Sequence, residues 1–278
     1  GMSRATLLRV FPRRTKATPR DDYAVVGDPQ LFTPTDIDEV HISVAFTWDI
    51  PEAERLAHVW GRIAPVKMGG PALGTRGEEF VGGKYIREGY TITSRGCPNK
   101  CWFCTVWRRD GHIVRELPIV DGWNILDDNI LACSEQHIRQ VFAMLKRQDR
   151  KAEFTGGLEA KRLKPWHCEL LADLKPRQMF FAYDTPDDWE PLVEASKLLG
   201  EHGILNRTQC RCYVLMGWQG DTMEKAEQRL EDVLSLGIFP MAMLYRDHKG
   251  ETDIEWRRFQ RLWARPALIA VRHKGVTS

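Results

Sequence analysis

Met179-Phe180-Phe181-Ala182-Tyr183 is followed by Asp187, by a run carrying Leu192, Val193 and Leu199, and then by Cys210-Arg211-Cys212-Tyr213-Val214-Leu215-Met216. Short apolar runs of this length read as buried strands, and the spacing between them puts its leucines and valine on one face of a helix. The stretch is therefore a strand–helix–strand unit. Its polar residues (Asp184 and Thr185 after the first strand, Gly217 after the second) fall just beyond the strand ends.

The same alternation repeats on both sides. Strands are expected at Tyr90–Ser94, Trp123–Asp127, Ala152–Thr155, Met179–Tyr183, Cys210–Met216 and Ile238–Tyr245. Between them, Ser134 caps a helix with Ile138, Val141, Phe142 and Leu145 in one stripe. Pro165 opens another, and Asp221 and Glu224 flank the start of one running to Gly237. Repeated βα units imply a parallel sheet with helices outside, joined by right-handed crossovers. Six units fall short of the eight of a complete barrel. The expected fold is α/β: a partial (βα)6 TIM-like barrel over 89–250, an open doubly wound sheet being the other choice. A C-terminal helix and tail fill 251–278, with a Thr252/Glu255 capping box and Trp256, Phe259 and Trp263 on one side.

Residues 1–88 form an N-terminal extension. Val40, Ile42, Val44 and Phe46 alternate as a strand does, and Asp49 can cap a helix with Pro51 in its first turn. Ala53, Leu56, Ala57 and Trp60 share a face, and Pro65 to Met68 is a second strand. This is a half-Rossmann-like β-α-β unit. Ahead of it, Arg4, Arg9, Arg13, Arg14, Lys16 and Arg20 stand without an acidic neighbour between residues 2 and 20. Such a segment is either an arm that touches phosphates or, as preferred here, a short edge strand from Thr6 to Phe11 followed by a solvated loop.

Composition narrows the class. Hydrophobic content of 43% and charged content of 28% suit a soluble globular chain, and a net charge of +2 makes no global demand for nucleic acid or anionic lipid. No apolar run approaches the roughly 18 residues of a membrane span. Met2 to Arg9 lacks the apolar core and cleavage site of a signal peptide, so a cytoplasmic protein that contacts no membrane is expected. Seven cysteines, an odd number, do not suit a disulfide framework.

Three of those cysteines are crowded into Thr93-Ser94-Arg95-Gly96-Cys97-Pro98-Asn99-Lys100-Cys101-Trp102-Phe103-Cys104. The CxxxCxxC spacing, directly after the first strand of the repeating part and with an aromatic just before the third cysteine, resembles the signature of the radical S-adenosylmethionine (SAM) superfamily. The resemblance covers roughly Tyr90 to His248 and is nearest to the cobalamin-type and methylthiotransferase-like members. It implies that Cys97, Cys101 and Cys104 ligate three irons of a [4Fe–4S] cluster, a centre that soft thiolates suit. The fourth iron would take SAM, which an external one-electron reductant of flavodoxin or ferredoxin type would help cleave to an adenosyl radical.

Further residues follow by the same resemblance. Phe103 belongs to the signature and is set against the cofactor. Asp127-Asp128-Asn129, after the second strand, stands where relatives accept hydrogen bonds from the SAM ammonium; an Asx turn is the alternative. Thr155-Gly156-Gly157 ends the third strand, where paired glycines let a ligand approach or simply make a tight turn. Asp184 takes the part of a ribose-binding glutamate, and Met216-Gly217 begins the stretch that supports adenine, although Gln219 replaces the family's proline. The family's Asp-x-His-x-x-Gly cobalamin motif does not occur, so the extension is expected to be a cobalamin-free remnant shielding the barrel mouth.

Other readings stay open at this level. A zinc-stabilised, non-enzymatic binding module would need His112 or Cys133 as a fourth ligand. Cys210 and Cys212, two apart on one strand face, read as core; a radical-carrying thiol, a redox pair or a second cluster are the alternatives. Cys133 and Cys168 read as structural. Trp102 and Trp107 flank the cysteine loop as walls against water. The substrate is a nucleic-acid base or tRNA, or else a small molecule or peptide.

Overall fold

The computed structural model describes residues 5–75 and 79–265, with Ala267 and Ile269. Two parallel sheets organise the chain. The first joins β1 (Leu7–Phe11), β2 (Ala24–Val26), β3 (Glu39–Ser43) and β4 (Val66–Gly69) in the order β2-β1-β3-β4. Helix α1 (Ile50–Trp60) crosses from β3 to β4 and buries Ala53, Leu56 and Trp60 against Leu8, Val10, Val40 and Ile42.

Two expectations are corrected here. β1 is not an edge strand: it pairs with β2 on one side and β3 on the other. An arginine at its centre and Pro12 after it suggest an exposed edge. Arg9 is nevertheless only 7% exposed, because its guanidinium donates to the carbonyls of Gly83 and Lys84 (3.0 and 2.7 Å) and pairs with Asp21. A buried cation is tolerated when its donors are all directed at acceptors. Asp49 precedes α1 but makes no side-chain cap; its carboxylate is held by Arg13 at 2.7 and 2.6 Å. Two of the six basic residues near the start are thus spent inside the fold, while Arg4 lies outside the described residues.

The second sheet holds β5 (Tyr90–Thr91), β8 (Asn124–Ile125), β9 (Glu153–Phe154), β10 (Gln178–Tyr183), β11 (Cys210–Met216) and β12 (Phe239–Leu244). Its order is β12-β11-β10-β9-β8-β5, with every pairing parallel. Each strand lies beside the next one in the chain. The crossovers carry α3 (Glu135–Lys146), α4 (Pro165–Leu174), α5 (Trp189–Glu201) and α6 (Met223–Ser235). Their apolar stripes meet the strands in one core that includes Phe154, Phe181, Val214 and Leu230. Cys168, Cys210 and Cys212 are buried there as free thiols.

The expected opening strand is split. β5 stops at Thr91, and Ser94–Arg95 (β6) pairs antiparallel with Arg115–Glu116 (β7) instead. The cause lies at Thr93: its N–H donates to Asp127 Oδ1 at 2.6 Å rather than to a neighbouring strand. After the resulting turn the cysteine loop and a single-turn helix, α2 (Val106–Arg109), fill the gap between β6 and β7.

Caps at the later helices fall on or beside the expected residues. Ser134 accepts from His137 N–H and Thr222 from Lys225 N–H. At α7 (Ile254–Trp263) the cap is Asp253, accepting from Glu255 N–H, in place of the expected Thr252. The loop ahead of α1 meets the end of the second sheet: Arg246 lies over the Trp48 ring at 5.5 Å. Among the described residues no helix is long and apolar enough to cross a membrane.

Candidate functional site

In a parallel sheet with one hand of crossover, all strands end on the same side, and the loops leaving them converge. Here that edge gathers the cysteine loop after β5 and β6, Asp127 to Asn129 after β8, Thr155 to Glu159 after β9, Asp184 after β10 and Gly217 after β11.

The three loop cysteines are half-buried and free. Cys104 N–H donates to Cys101 carbonyl oxygen at 3.1 Å, which folds the loop back on itself. Burial, then the nearby Cys104 and Cys97, push the Cys101 thiol up to about 11; Cys104 is raised by burial and by Cys97 as well. Each end of the set also receives a donor: Val106 N–H points at Cys104 Sγ (3.5 Å), and Asn129 Nδ2 at Cys97 Sγ (3.4 Å). Trp107 Nε1 donates to Cys101 carbonyl oxygen at 3.0 Å, and its ring stacks on His112.

The residues after β8 have separate duties. Asp127, 1% exposed, accepts from Thr93 N–H, Thr93 Oγ1 and Ser94 Oγ, each at 2.6 Å. Burial pushes its carboxyl above the usual range, against the pull of those donors. Asp128 accepts from Gly96 N–H (2.9 Å) and Arg109 (3.1 Å). Both carboxylates are engaged in shaping the approach to Cys97. Asn129 differs. It is 4% exposed, its Nδ2 donates to Glu159 Oε2 at 2.7 Å, and its Oδ1 is buried with no partner. An unpaired buried acceptor costs about 1–3 kcal/mol, so it marks a place where a donor is missing.

Glu159 is the site residue whose role the sequence hides. It ends the third strand's loop, and its carboxylate collects Asn99 Nδ2 (2.9 Å), Asn129 Nδ2 and Arg162 Nε (2.5 Å). It thereby ties the cysteine loop to the ends of β8 and β9. A glutamate two positions after a glycine pair was the available signal.

Thr155 donates its hydroxyl to Asn124 Oδ1 at 2.6 Å. A side chain on Gly156 would strike Asp127 carbonyl oxygen at 2.6 Å, and Gly157 has φ +99°. The pair serves backbone against backbone and a turn. Asp184 is 8% exposed; its Oδ1 accepts Leu215 N–H at 3.2 Å, and burial followed by Asp188 pushes it up to about 7. Met216 is fully buried, and Gly217 N–H donates to Asp221 Oδ2 at 2.8 Å.

Phe103 meets Trp102 edge-on at 5.4 Å, and Trp102 reaches across to Tyr245 (5.4 Å) and Trp218 (6.1 Å). Trp102, Trp218, Tyr245 and Trp256 line a cavity of about 460 Å³ between the cysteine loop and the ends of β11 and β12.

One other group of ligand-bearing side chains stands near the loop. Donor atoms of Asp127, Cys133 and His137 lie within 4.8 Å of one another, and His137 Nε2 is 3.1 Å from Thr93 Oγ1. Cys133 thus groups with Asp127 and His137, and His112 stacks on Trp107.

No protein-family model matches the chain, and no curated protein matches it.

Proposed function

We propose that the chain is a radical SAM enzyme that holds a [4Fe–4S] cluster on Cys97, Cys101 and Cys104 and acts in the cytoplasm, where thiol ligands stay reduced. The observation that carries this reading is Asn129 Oδ1, a buried acceptor with no partner, on a side chain whose Nδ2 touches Cys97 Sγ. The donor sets fit. Three free thiols in one short loop suit a cubane with one iron left open. Beside them, an orphaned amide oxygen suits the ammonium of SAM.

When bound, the cluster and an external flavodoxin- or ferredoxin-type reductant would supply the electron for reductive cleavage of SAM. The chain's own residues bind, orient and exclude water. Asn129 accepts the ammonium, while Asp127 and Asp128 pin Thr93, Ser94 and Gly96 so that the loop enters at a fixed angle. Asp184 has one carboxylate oxygen left for ribose hydroxyls. The aromatic cavity beside Gly217 takes the adenine, with Trp102, backed by Phe103, as the wall toward the cluster.

A partial (βα)6 barrel accompanies this reading, supported by the contact between Trp102 and Tyr245. Six strands about 4.8 Å apart separate the sheet's edges by roughly 24 Å if flat. A loop from the first strand reaches a residue beyond the last more readily if the sheet curls. The extension is a cobalamin-free remnant beside the mouth. The hydrogen donor is a small molecule, a peptide or a nucleic-acid base.

Anaerobic reconstitution tests the reading. About four irons per chain and 5′-deoxyadenosine from SAM and dithionite are expected, and Cys101→Ala should lose both. A colourless protein carrying a single zinc would support the alternative, a zinc-stabilised binding module without activity. The Asp127–Cys133–His137 group, rather than the loop cysteines with His112 or Cys133, is where such a zinc would sit.

A further inference from the structure

A second cavity, about 470 Å³, lies between the first turns of α3 and α4 and the loops that leave β8 and β9. Its lining includes Asn99 of the cysteine loop, but neither the cluster nor SAM explains its chemistry. His167 is the feature that demands a ligand. It is 2% exposed, and its Nδ1 accepts Lys164 N–H at 3.0 Å. A ring whose Nδ1 accepts carries its proton on Nε2 when neutral. Burial, then Lys164, push its pKa down to about 4, so the ring is neutral near pH 7. The Nε2–H is therefore a donor, and it is buried with no partner.

The lining carries three cations, Lys161, Arg162 and Lys164, against two carboxylates, Glu135 and Glu159. Glu159 is taken by Arg162, Asn129 and Asn99, and Glu135 by Arg139. Lys161 and Lys164, which also line the cavity, have no carboxylate partner among the described residues. Helices α3 and α4, of 12 and 10 residues, both begin at the cavity and add the positive ends of their dipoles. Trp166 has Arg139 over its ring at 5.0 Å and His167 against it at 3.8 Å, so it is occupied as a stacking platform.

We propose that this cavity binds a phosphomonoester, with His167 Nε2–H, Lys161 and Lys164 donating to its oxygens. A carboxylate carries one charge and two oxygens; a phosphomonoester carries about −1.5 to −2 and three free oxygens, matching two unpaired lysines and a third donor. The occupied Trp166 ring argues against a base stacked alongside. The inference does not rest on the cluster, because none of the three donors contacts the cysteines.

The test uses the full chain labelled with ¹⁵N-histidine, eight residues in all, with iron measured on the same sample. The Nε2–H resonance of His167, assigned by its loss in His167→Gln, is followed at constant ionic strength against inorganic phosphate, glycerol phosphate, acetate and chloride. A fifth probe is a short oligonucleotide without terminal phosphate. Saturable shifts with the first two alone are expected; tighter glycerol phosphate marks an organic ligand, and equal binding marks the free anion. Lys161→Ala/Lys164→Ala, both exposed, should weaken binding about tenfold or more, equivalent to about 1.4 kcal/mol. Lys146→Ala, a surface control paired with Asp173, should leave it unchanged. Three results would overturn the proposal: no saturable shift, a double variant that binds like the parent, or tighter binding of the oligonucleotide. Should His167→Gln not fold, the lysine variant decides through its phosphate affinity read by isothermal titration calorimetry. Failure here with about four irons in the same sample leaves the cluster reading standing.

Discussion

Replacing Asp184 with Asn should change how stability depends on pH. Asp184 is 8% exposed and sits beside Asp188, whose Oδ2 is already held by the N–H groups of Asp184 and Thr185. Burial first, then the charge of Asp188, push the Asp184 pKa from 3.8 up to about 7; Leu215 N–H and Arg229 pull weakly the other way. In the unfolded chain this carboxyl ionises near its ordinary value. Between about pH 4 and pH 7 the folded state therefore binds the extra proton, and ionisation works against folding. The group's stabilising contribution is whole below about pH 4 and falls as pH rises through about 7, by roughly 4 kcal/mol in all, since each tenfold in the ionisation constant is worth about 1.4 kcal/mol. Asparagine keeps an acceptor for Leu215 N–H and cannot ionise. Urea unfolding of the metal-free parent and of Asp184→Asn should give free energies within about 1 kcal/mol of each other at about pH 4.5. The variant should then lead by several kcal/mol near pH 8. Parallel curves across that window would refute the account of Asp184 as a carboxyl strained by burial.

Three other outcomes follow from the geometry. Asn129→Ala removes the orphaned acceptor and should weaken SAM binding by about tenfold in equilibrium dialysis, with iron content within error of the parent. Gly156→Ala forces a methyl to within 2.6 Å of Asp127 carbonyl oxygen and should lower the midpoint of thermal unfolding; a cost of about 1–3 kcal/mol is expected for such overpacking. Trp60→Ala empties the centre of the first sheet's core, where the ring is fully buried and Nε1 donates to Gly27 carbonyl oxygen at 3.0 Å. It should cost about 3–5 kcal/mol in urea unfolding.

The alternation of apolar runs and amphipathic stretches was enough to find the six strands of the second sheet and the helices between them. Local chemistry explains that success: strand burial, Ser134 as a cap and Pro165 at a helix start act within a few residues. Three short strands escaped it. β2 is three half-buried residues, and β6 and β7 are two residues each. β5, β8 and β9 are as short as β6 and β7, but they recur between amphipathic helices, and that alternation is what made them legible.

Assigning duties to the polar residues needed the folded chain. Asp127, Asp128 and Asn129 are adjacent in sequence and similar in chemistry. Thr93 and Ser94, more than thirty residues away, saturate the first; Gly96 and Arg109 occupy the second; the third keeps an open oxygen. Arg9 marks β1 as an edge until Gly83, Lys84 and Asp21 arrive to satisfy it. What the amino-acid order determined alone was the succession of βα units and the crowding of three cysteines after the first strand of the second sheet, because periodicity and spacing are local properties. Tertiary structure decided which donors and acceptors are consumed and which remain for a ligand, because a hydrogen bond's partner is set by proximity in space.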